Sequence, residues 1–470
     1  MKNYEKIFLI LGLIIGTLFV FIIPPFQGPD EDAHFKKAYV LGKLDVFTKT
    51  DGNITGYYLP DDMVEYIDTK YDRNHLEDRQ DFKYSFKEMY LETYTPADYS
   101  KKSLYPVLGS RPYVHAIPAI GVMFGNICAK FVVRSHPSSV FLLYFARMAC
   151  LISYLILGYI LIKVLPKYKK SALAILLNPL SLFMGSIVNY DSYIIPCSLL
   201  VVALMLRIKY DDKCKFEFKH VIIFSILGYI MLTTKVVYFP SLLTLFLIPK
   251  DKFKFKNNKK NNKFFAASMV IGLILAMYIL SKLFSLFNQV GVGSGVSLMS
   301  QQLSYIKGHP FTYAGILIKN ILSSYKIQIM RMIGTLGLLD TRMPALAVIF
   351  SLFNMIYRVV VDACTSNLDI KWKDRLVYIV CILLAVVGIY TSQYLMWTPI
   401  KYGIGGNYID GVQGRYFIPL LLFAPLLVTN KWIKNKKVLN FFEESFDINL
   451  CIIFINLLVA LFTCLVRYWI

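Results

Sequence analysis

Long apolar runs alternate with short basic loops along most of this chain. The first run, Ile7 to Phe26, has no charged residue, and roughly 20 apolar residues suffice to cross a bilayer. The same pattern predicts spanning helices over Val140–Ile162, Ser171–Val188, Phe264–Phe287, Pro344–Val361, Leu376–Trp397 and Asn449–Trp469. Another runs from Asp191 to Arg207 and Lys209, two form a hairpin around Thr233-Thr234-Lys235, and one starts at Gln413-Gly414-Arg415-Tyr416. Two stretches do not fit a simple span. Tyr113–Val133 contains Pro118, Gly121 and Gly125, a poor continuous helix, and is expected to lie along the surface or re-enter. Phe311–Arg342 carries Lys319, Lys326, Arg331 and Asp340 among apolar residues and is expected to be amphipathic and interfacial. Gly291-Val292-Gly293-Ser294-Gly295 marks a loop.

Composition fixes the class. The chain has 470 residues, 56% of them hydrophobic, more apolar surface than a soluble protein of this length can hide. The net charge of +21 would suit nucleic acid, but the basic residues sit in short loops such as Lys163–Lys170 and Lys250–Lys263. That is the positive-inside pattern, so nucleic acid is excluded and membrane lipid is the expected partner. With Lys2 and Lys6 it puts the N-terminus in the cytoplasm. The segment from Gln27 to Arg111 then lies outside, and its 16 acidic against 12 basic residues reverse the sign of the whole chain. The first run has no small-x-small cleavage site and is read as a retained helix. Eight cysteines fall in or beside apolar runs without metal-ligand spacing, so neither disulfides nor zinc are expected.

Three places can carry chemistry. Pro29-Asp30-Glu31-Asp32-Ala33-His34-Phe35 delivers three carboxylates and an imidazole just past the first span, where partial burial would tune a general base. The plainer role is capping and charging a helix N-terminus. Arg415 sits at the outer end of a helix against the positive-inside bias, flanked by Gln413 and Tyr416, and a guanidinium fork suits a phosphate. Snorkelling to headgroups, or a pair with Asp410, is the plainer role. Asp191, in Asn189-Tyr190-Asp191-Ser192, either faces Asp30 across the outer vestibule or caps its helix. Arg147 and Lys235 lie near the same face and can hold an anion. His75, His115 and His136 find no evident partner and are read as structural or surface residues. No phosphate-binding glycine loop or Gly-x-Ser-x-Gly elbow is present.

The Pro29–Phe35 motif and Gly411-Val412-Gln413-Gly414-Arg415-Tyr416-Phe417-Ile418-Pro419 together resemble a family of bacterial multi-spanning membrane proteins known as a domain of unknown function. That family groups with the GT-C glycosyltransferase clan. Asn178-Pro179, Asn189-Tyr190-Asp191-Ser192 and Lys235 match its pattern too. The resemblance implies a GT-C-like fold and a sugar donor on a polyprenyl phosphate, with acids in the first external loop and an arginine on the lipid phosphate. The clan's mannosyltransferases carry Asp-Glu-x-His-Phe, one residue shorter than the spacing here.

The expected fold is therefore an all-α polytopic bundle of about eleven transmembrane helices in the plasma membrane. It divides into a first helix (1–26), an extracellular loop with juxtamembrane helices (27–137), helices two to seven (138–287), a second extracellular loop with an interfacial helix (288–342) and helices eight to eleven (343–470). The expected activity is inverting transfer of a sugar from a polyprenyl-phosphate donor to a cell-surface glycopolymer on the extracellular face. Asp30 or Glu31 is the expected base. Arg415, Arg147, Lys235, His34, Asp191, Gln413 and Tyr416 would bind substrate or phosphate, and a divalent cation is compatible with the acids but not required. The rivals are a transporter or flippase of lipid-linked glycans, and a non-catalytic subunit of a polysaccharide assembly complex.

Overall fold

The computed structural model describes residues 3–45, 47–51, 54–70, 82–106, 112–132, 136–254, 262–286, 294–429 and 446–470. The chain opens with α1 (Tyr4–Ile22) and, after the Pro24-Pro25 turn, α2 (Glu31–Gly42). A small cap follows, made of β1 (Lys49–Asp51), β2 (Ile54–Pro60), α3 (Asp61–Glu65), α4 (Phe86–Tyr94) and β3 (Lys102–Tyr105). Its strands form an antiparallel sheet in the order β1-β2-β3, with Thr50 opposite Thr55 and Tyr58 opposite Leu104. The polar first loop thus contributes to a second core, in which Phe35, Tyr39, Tyr57, Leu59 and Met63 are buried together with Val122, Leu142 and Ala146 of the helices that follow.

The bundle comes next: α5 (Ala116–Val132), α6 (Ser139–Val164), α7 (Lys169–Leu176), α8 (Pro179–Gly185), α9 (Asp191–Tyr210) and α10 (Phe218–Thr234). A 3-10 run (Val236–Leu247) leads to α11 (Asn262–Leu286), α12 (Ser294–Gly308) and α13 (Pro310–Gly334). The hairpin of β4 (Thr335–Leu336) and β5 (Thr341–Arg342) precedes α14 (Ala345–Thr365), α15 (Trp372–Met396) and α16 (Thr398–Tyr402). A second 3-10 run (Gly414–Leu420), α17 (Phe423–Val428) and α18 (Phe446–Tyr468) complete it. Seven of these, α1, α6, α9, α11, α14, α15 and α18, are long and apolar enough to cross a membrane; α5, α10 and the first 3-10 run are shorter apolar elements. The protein is an all-α polytopic membrane protein. Helix α9 is its axis, with 94% of its apolar stretch buried against 17% for the peripheral α11.

Contacts sort the helices by end. A Cβ on Gly12 of α1 would meet Leu155 of α6, and one on Gly16 would meet Leu151, so these two helices run antiparallel. The basic loops gather at one end, where Lys209 pairs with Asp374 at 2.7 Å and Lys252 with Asp212 at 3.1 Å. The cap covers the other end. Both termini of α5 belong to the cap end. Before it, Val114 accepts a hydrogen bond from Tyr193 at 2.8 Å, and after it Pro137 accepts one from Tyr99 at 2.6 Å. Helix α5 therefore packs against the first turns of α6 without carrying the chain across.

Several expected elements come out differently. The expected helix over Ser171–Val188 is broken into α7 and α8, because Pro179 cannot continue α7 and instead begins α8 at its first position. The expected helix from Gln413 is split into the second 3-10 run, with Pro419 inside it, and the short α17. The expected interfacial stretch is a regular helix only to Gly334, then a β-hairpin. Of the glycine-rich loop, 291–293 lie outside the described residues, and Ser294 and Gly295 already belong to α12. His75 also lies outside the described residues.

Candidate functional site

Asp30 and Glu31 are neighbours with opposite surroundings. The chain reaches them through Gly28, where a Cβ would press on the end of the Ile187 side chain at 2.6 Å, so the turn sits close against the bundle. Asp30 then takes a left-handed conformation (φ 59°), which Asp tolerates better than most residues. Glu31 is turned inward and sealed. Its Oε1 accepts from Arg147 Nε at 2.8 Å and the Val188 N–H at 2.9 Å; its Oε2 accepts from Arg147 Nη2 at 2.6 Å and the Gly28 N–H at 3.3 Å. Arg147 spends its other donors on the carbonyls of Val20, Ile23 and Pro24. Both side chains are fully buried, and all five guanidinium donors are used. Neither residue has an atom left for a substrate. The pair binds the end of α1, the start of α2 and the turn before α9 to α6.

Asp30 points the other way, with 41% of its side chain exposed, and Arg415 Nη2 approaches its Oδ2 at 3.6 Å. Arg415 Nη1 lies 3.5 Å from Asp191 Oδ2. Asp191 Oδ1 accepts from Lys235 Nζ at 2.5 Å. The Lys235 ammonium also stands 4.4 Å from the centre of the Tyr416 ring and 5.1 Å from that of Tyr190, a cation between two aromatic faces. Asp191 does not cap α9. The Ser192 N–H in its first turn is instead taken by the Asn189 side-chain oxygen at 3.0 Å, which leaves the Asp191 carboxylate for the two cations.

Arg415 is held in place by its backbone. It is the second residue of the 3-10 run, and a Cβ on the preceding Gly414 would lie 2.3 Å from the backbone nitrogen of Met332 and 2.6 Å from the carbonyl carbon of Arg331. Only glycine permits this contact with α13. The Arg415 contacts to both acids are longer than the roughly 2.7–2.9 Å of a tight charge-assisted hydrogen bond. Its Nε is buried and makes no hydrogen bond among the described residues, and neither does Gln413 Oε1 beside it. The guanidinium thus has donor capacity in reserve.

His34 lies one turn along α2 from Asp30. Its Nδ1 is 2.8 Å from Nε2 of His115, and its ring meets Tyr190 edge-on at 4.8 Å. Burial, reinforced by the positive charges of Lys37, Arg415 and Lys235, pushes its pKa down to about 3, and burial lowers His115 as well. Both rings are therefore neutral near pH 7, one donating to the other, so His34 can offer a hydrogen bond but not a cation to a phosphate. The partner of His115 was not legible in the sequence, since the two histidines are 81 residues apart in the chain and joined only by the fold. His136 packs its ring against Tyr99 at 5.3 Å. Among the described residues no three His, Cys, Asp or Glu side chains come together as a metal-ligating group.

Residues from α2, α9, the end of α10 and the second 3-10 run thus form one cluster at the cap end, with Asp30, Asp191, Arg415, Lys235, Tyr416 and Gln413 in it and Glu31 with Arg147 walled off behind. The early Asp-Glu motif and the late Gln-Gly-Arg-Tyr-Phe motif meet there. Residues 13–424 match the profile of a family described as Predicted membrane protein (DUF2142). The chain belongs to this family. No curated protein and no solved structure matches it. Both motifs of this DUF2142 protein, and the cluster they build, lie within the matched span.

Proposed function

We propose that this chain is an inverting glycosyltransferase of GT-C type in the plasma membrane, with its site on the extracellular face. It would transfer a sugar from a polyprenyl-phosphate-linked donor to a cell-surface glycan. The observation that carries this reading is the meeting of Asp30 with Arg415: an accessible carboxylate and an under-used guanidinium, 3.6 Å apart at one end of the bundle. Inverting transfer needs these two groups. The Asp30 carboxylate takes the proton of the acceptor hydroxyl as its oxygen attacks the anomeric carbon. The bond to the donor phosphate breaks on the opposite side, and the departing phosphate keeps the electron pair. Arg415, fixed by the Gly414 contact and flanked by Lys235, meets the charge that develops there, and such pre-organised stabilisation is usually the largest share of catalysis. Asp191 positions both cations.

A transporter shares one feature with this protein, the helix broken at Asn178–Pro179. The charges, however, lie at one end and leave the axis of the bundle apolar, which favours transfer over passage. The test is transfer from a polyprenyl-phosphate sugar by purified protein in lipid. Asp30→Asn is expected to lower turnover by about 10²–10⁴-fold, the usual worth of a general base, while donor binding persists. Unchanged turnover in that variant would remove Asp30 from the mechanism. Delivery of lipid-linked sugar across the bilayer, with no glycosidic bond made, would favour the transporter.

A further inference from the structure

Away from the cap end, polar side chains from three elements close on one small cavity. Asn178 comes from the break between α7 and α8, Ser351 and Asn354 from α14, and Asn456 from α18. Asn354 and Asn456 are buried near the midpoints of their spanning helices. Asn178 is satisfied, its Nδ2 donating to the Met332 carbonyl at 2.9 Å. The other three are not. Asn354 Nδ2 reaches the Asn449 carbonyl only at 3.5 Å, and its Oδ1 is buried with no hydrogen bond among the described residues. The same holds for Ser351 Oγ, and the Asn456 side chain makes no hydrogen bond among them either. A serine in a helix can turn its hydroxyl back to the carbonyl four residues earlier, as Ser198 does at 2.8 Å and Thr365 does at 2.8 Å. Ser351 does not. At this depth there is no bulk solvent, so such groups must find their partners inside the protein.

We propose that this cavity binds a buried water, shared by Ser351, Asn354 and Asn456, which ties the break at Asn178–Pro179 to α14 and α18. Size and chemistry both point to it. The cavity has about 20 Å³ of room for a water-sized molecule, and a buried water needs roughly 10–15 Å³ and two to four polar partners. Water donates two hydrogens and accepts two. It can therefore donate to Asn354 Oδ1 and to the oxygen of Ser351 or Asn456 while accepting an N–H of the Asn456 amide. A metal cation suits the place less well, since no carboxylate lines it and the buried Arg358 guanidinium stands one turn beyond Asn354 on α14. The site is separate from Asp30 and Arg415 and does not depend on how that cluster is read.

X-ray hydroxyl-radical footprinting of the full-length protein in lipid nanodiscs tests this, because radicals made from a bound water oxidise the side chains beside it. Met355 lines the cavity, and Met205, fully buried in the apolar core around α9, is the reference. Met355 should be oxidised several-fold faster than Met205. Asn456→Leu, which removes one partner and fills the space, should bring Met355 down to the reference rate. Ser351→Ala is the milder change and should lower the rate part of the way in a protein that elutes and melts as the wild type does, which separates loss of the water from loss of the fold. Wild-type labelling of Met355 no faster than that of Met205, or labelling that survives both substitutions, overturns the proposal. So does a melting temperature that rises when sodium chloride replaces choline chloride, with the rise lost in Asn456→Leu. The occupant would then be a cation, and a cation beside a broken helix halfway along the bundle would favour transport.

Discussion

At the scale of single residues, the sharpest contrast is between Asp30 and Glu31. One sequence motif presents both as candidate bases, and hydrophobic patterning cannot tell them apart. The difference is made by the left-handed turn at Asp30, which sends the two side chains in opposite directions. Glu31 reaches a guanidinium contributed from far along the chain, and a charged pair this deep is costly to break from one side. Glu31→Gln, which leaves Arg147 charged and uncompensated, should destabilise the protein by about 3–5 kcal/mol, read as a lowered melting temperature in detergent. Asp30→Asn should leave melting almost unchanged. A Glu31→Gln protein as stable as the wild type would show that the sealed pair does not hold this corner of the fold. Arg415 and Asp191 were legible as candidates because a guanidinium at this end of a helix and an acid at a helix start are each unusual in a membrane chain.

At the scale of elements, the apolar runs gave the long helices to within a few residues: α6 begins one residue before its expected start, and α15 ends one before its expected end. What patterning missed were the breaks and the cap. Pro179, Pro240 and Pro419 each lie inside a continuous apolar run, and hydropathy is blind to the backbone N–H they lack. The three-stranded sheet arises in a polar segment with little alternation to read. The join between α2 and the turn before α5 is likewise invisible in sequence, since it is the His34–His115 contact. That join makes a prediction with a definite sign. His34 titrates near 6.5 when unfolded and at about 3 in the fold, so the unfolded chain binds more protons between those values. Stability from this contact is complete above pH 6.5 and is lost as the pH falls toward 3. Melting temperature should therefore fall with acidification through this window, and His34→Gln should flatten the fall. An identical slope in the variant would mean that the imidazole pair does not carry the acid sensitivity.

At the scale of the whole molecule, the chain sorts its charge. Lysines and arginines of the loops collect at one end, paired in part with Asp212 and Asp374, while the other end gathers Arg415 and Lys235 around Asp30 and Asp191. The ends of the bundle are separated by the apolar core around α9, whose first residue is Asp191 and whose last turn carries Arg207 and Lys209. The alternation of basic loops made this sorting readable, and it is what allows residues from the start and the end of the chain to share one site. The measurement that tests the central claim most directly is a structure of the protein with a polyprenyl-phosphate sugar bound. The account predicts a phosphate oxygen at hydrogen-bond distance from the Arg415 guanidinium, about 3 Å, with the sugar turned toward Asp30. A phosphate seated elsewhere, with Arg415 still engaged only by Asp30 and Asp191, would contradict it.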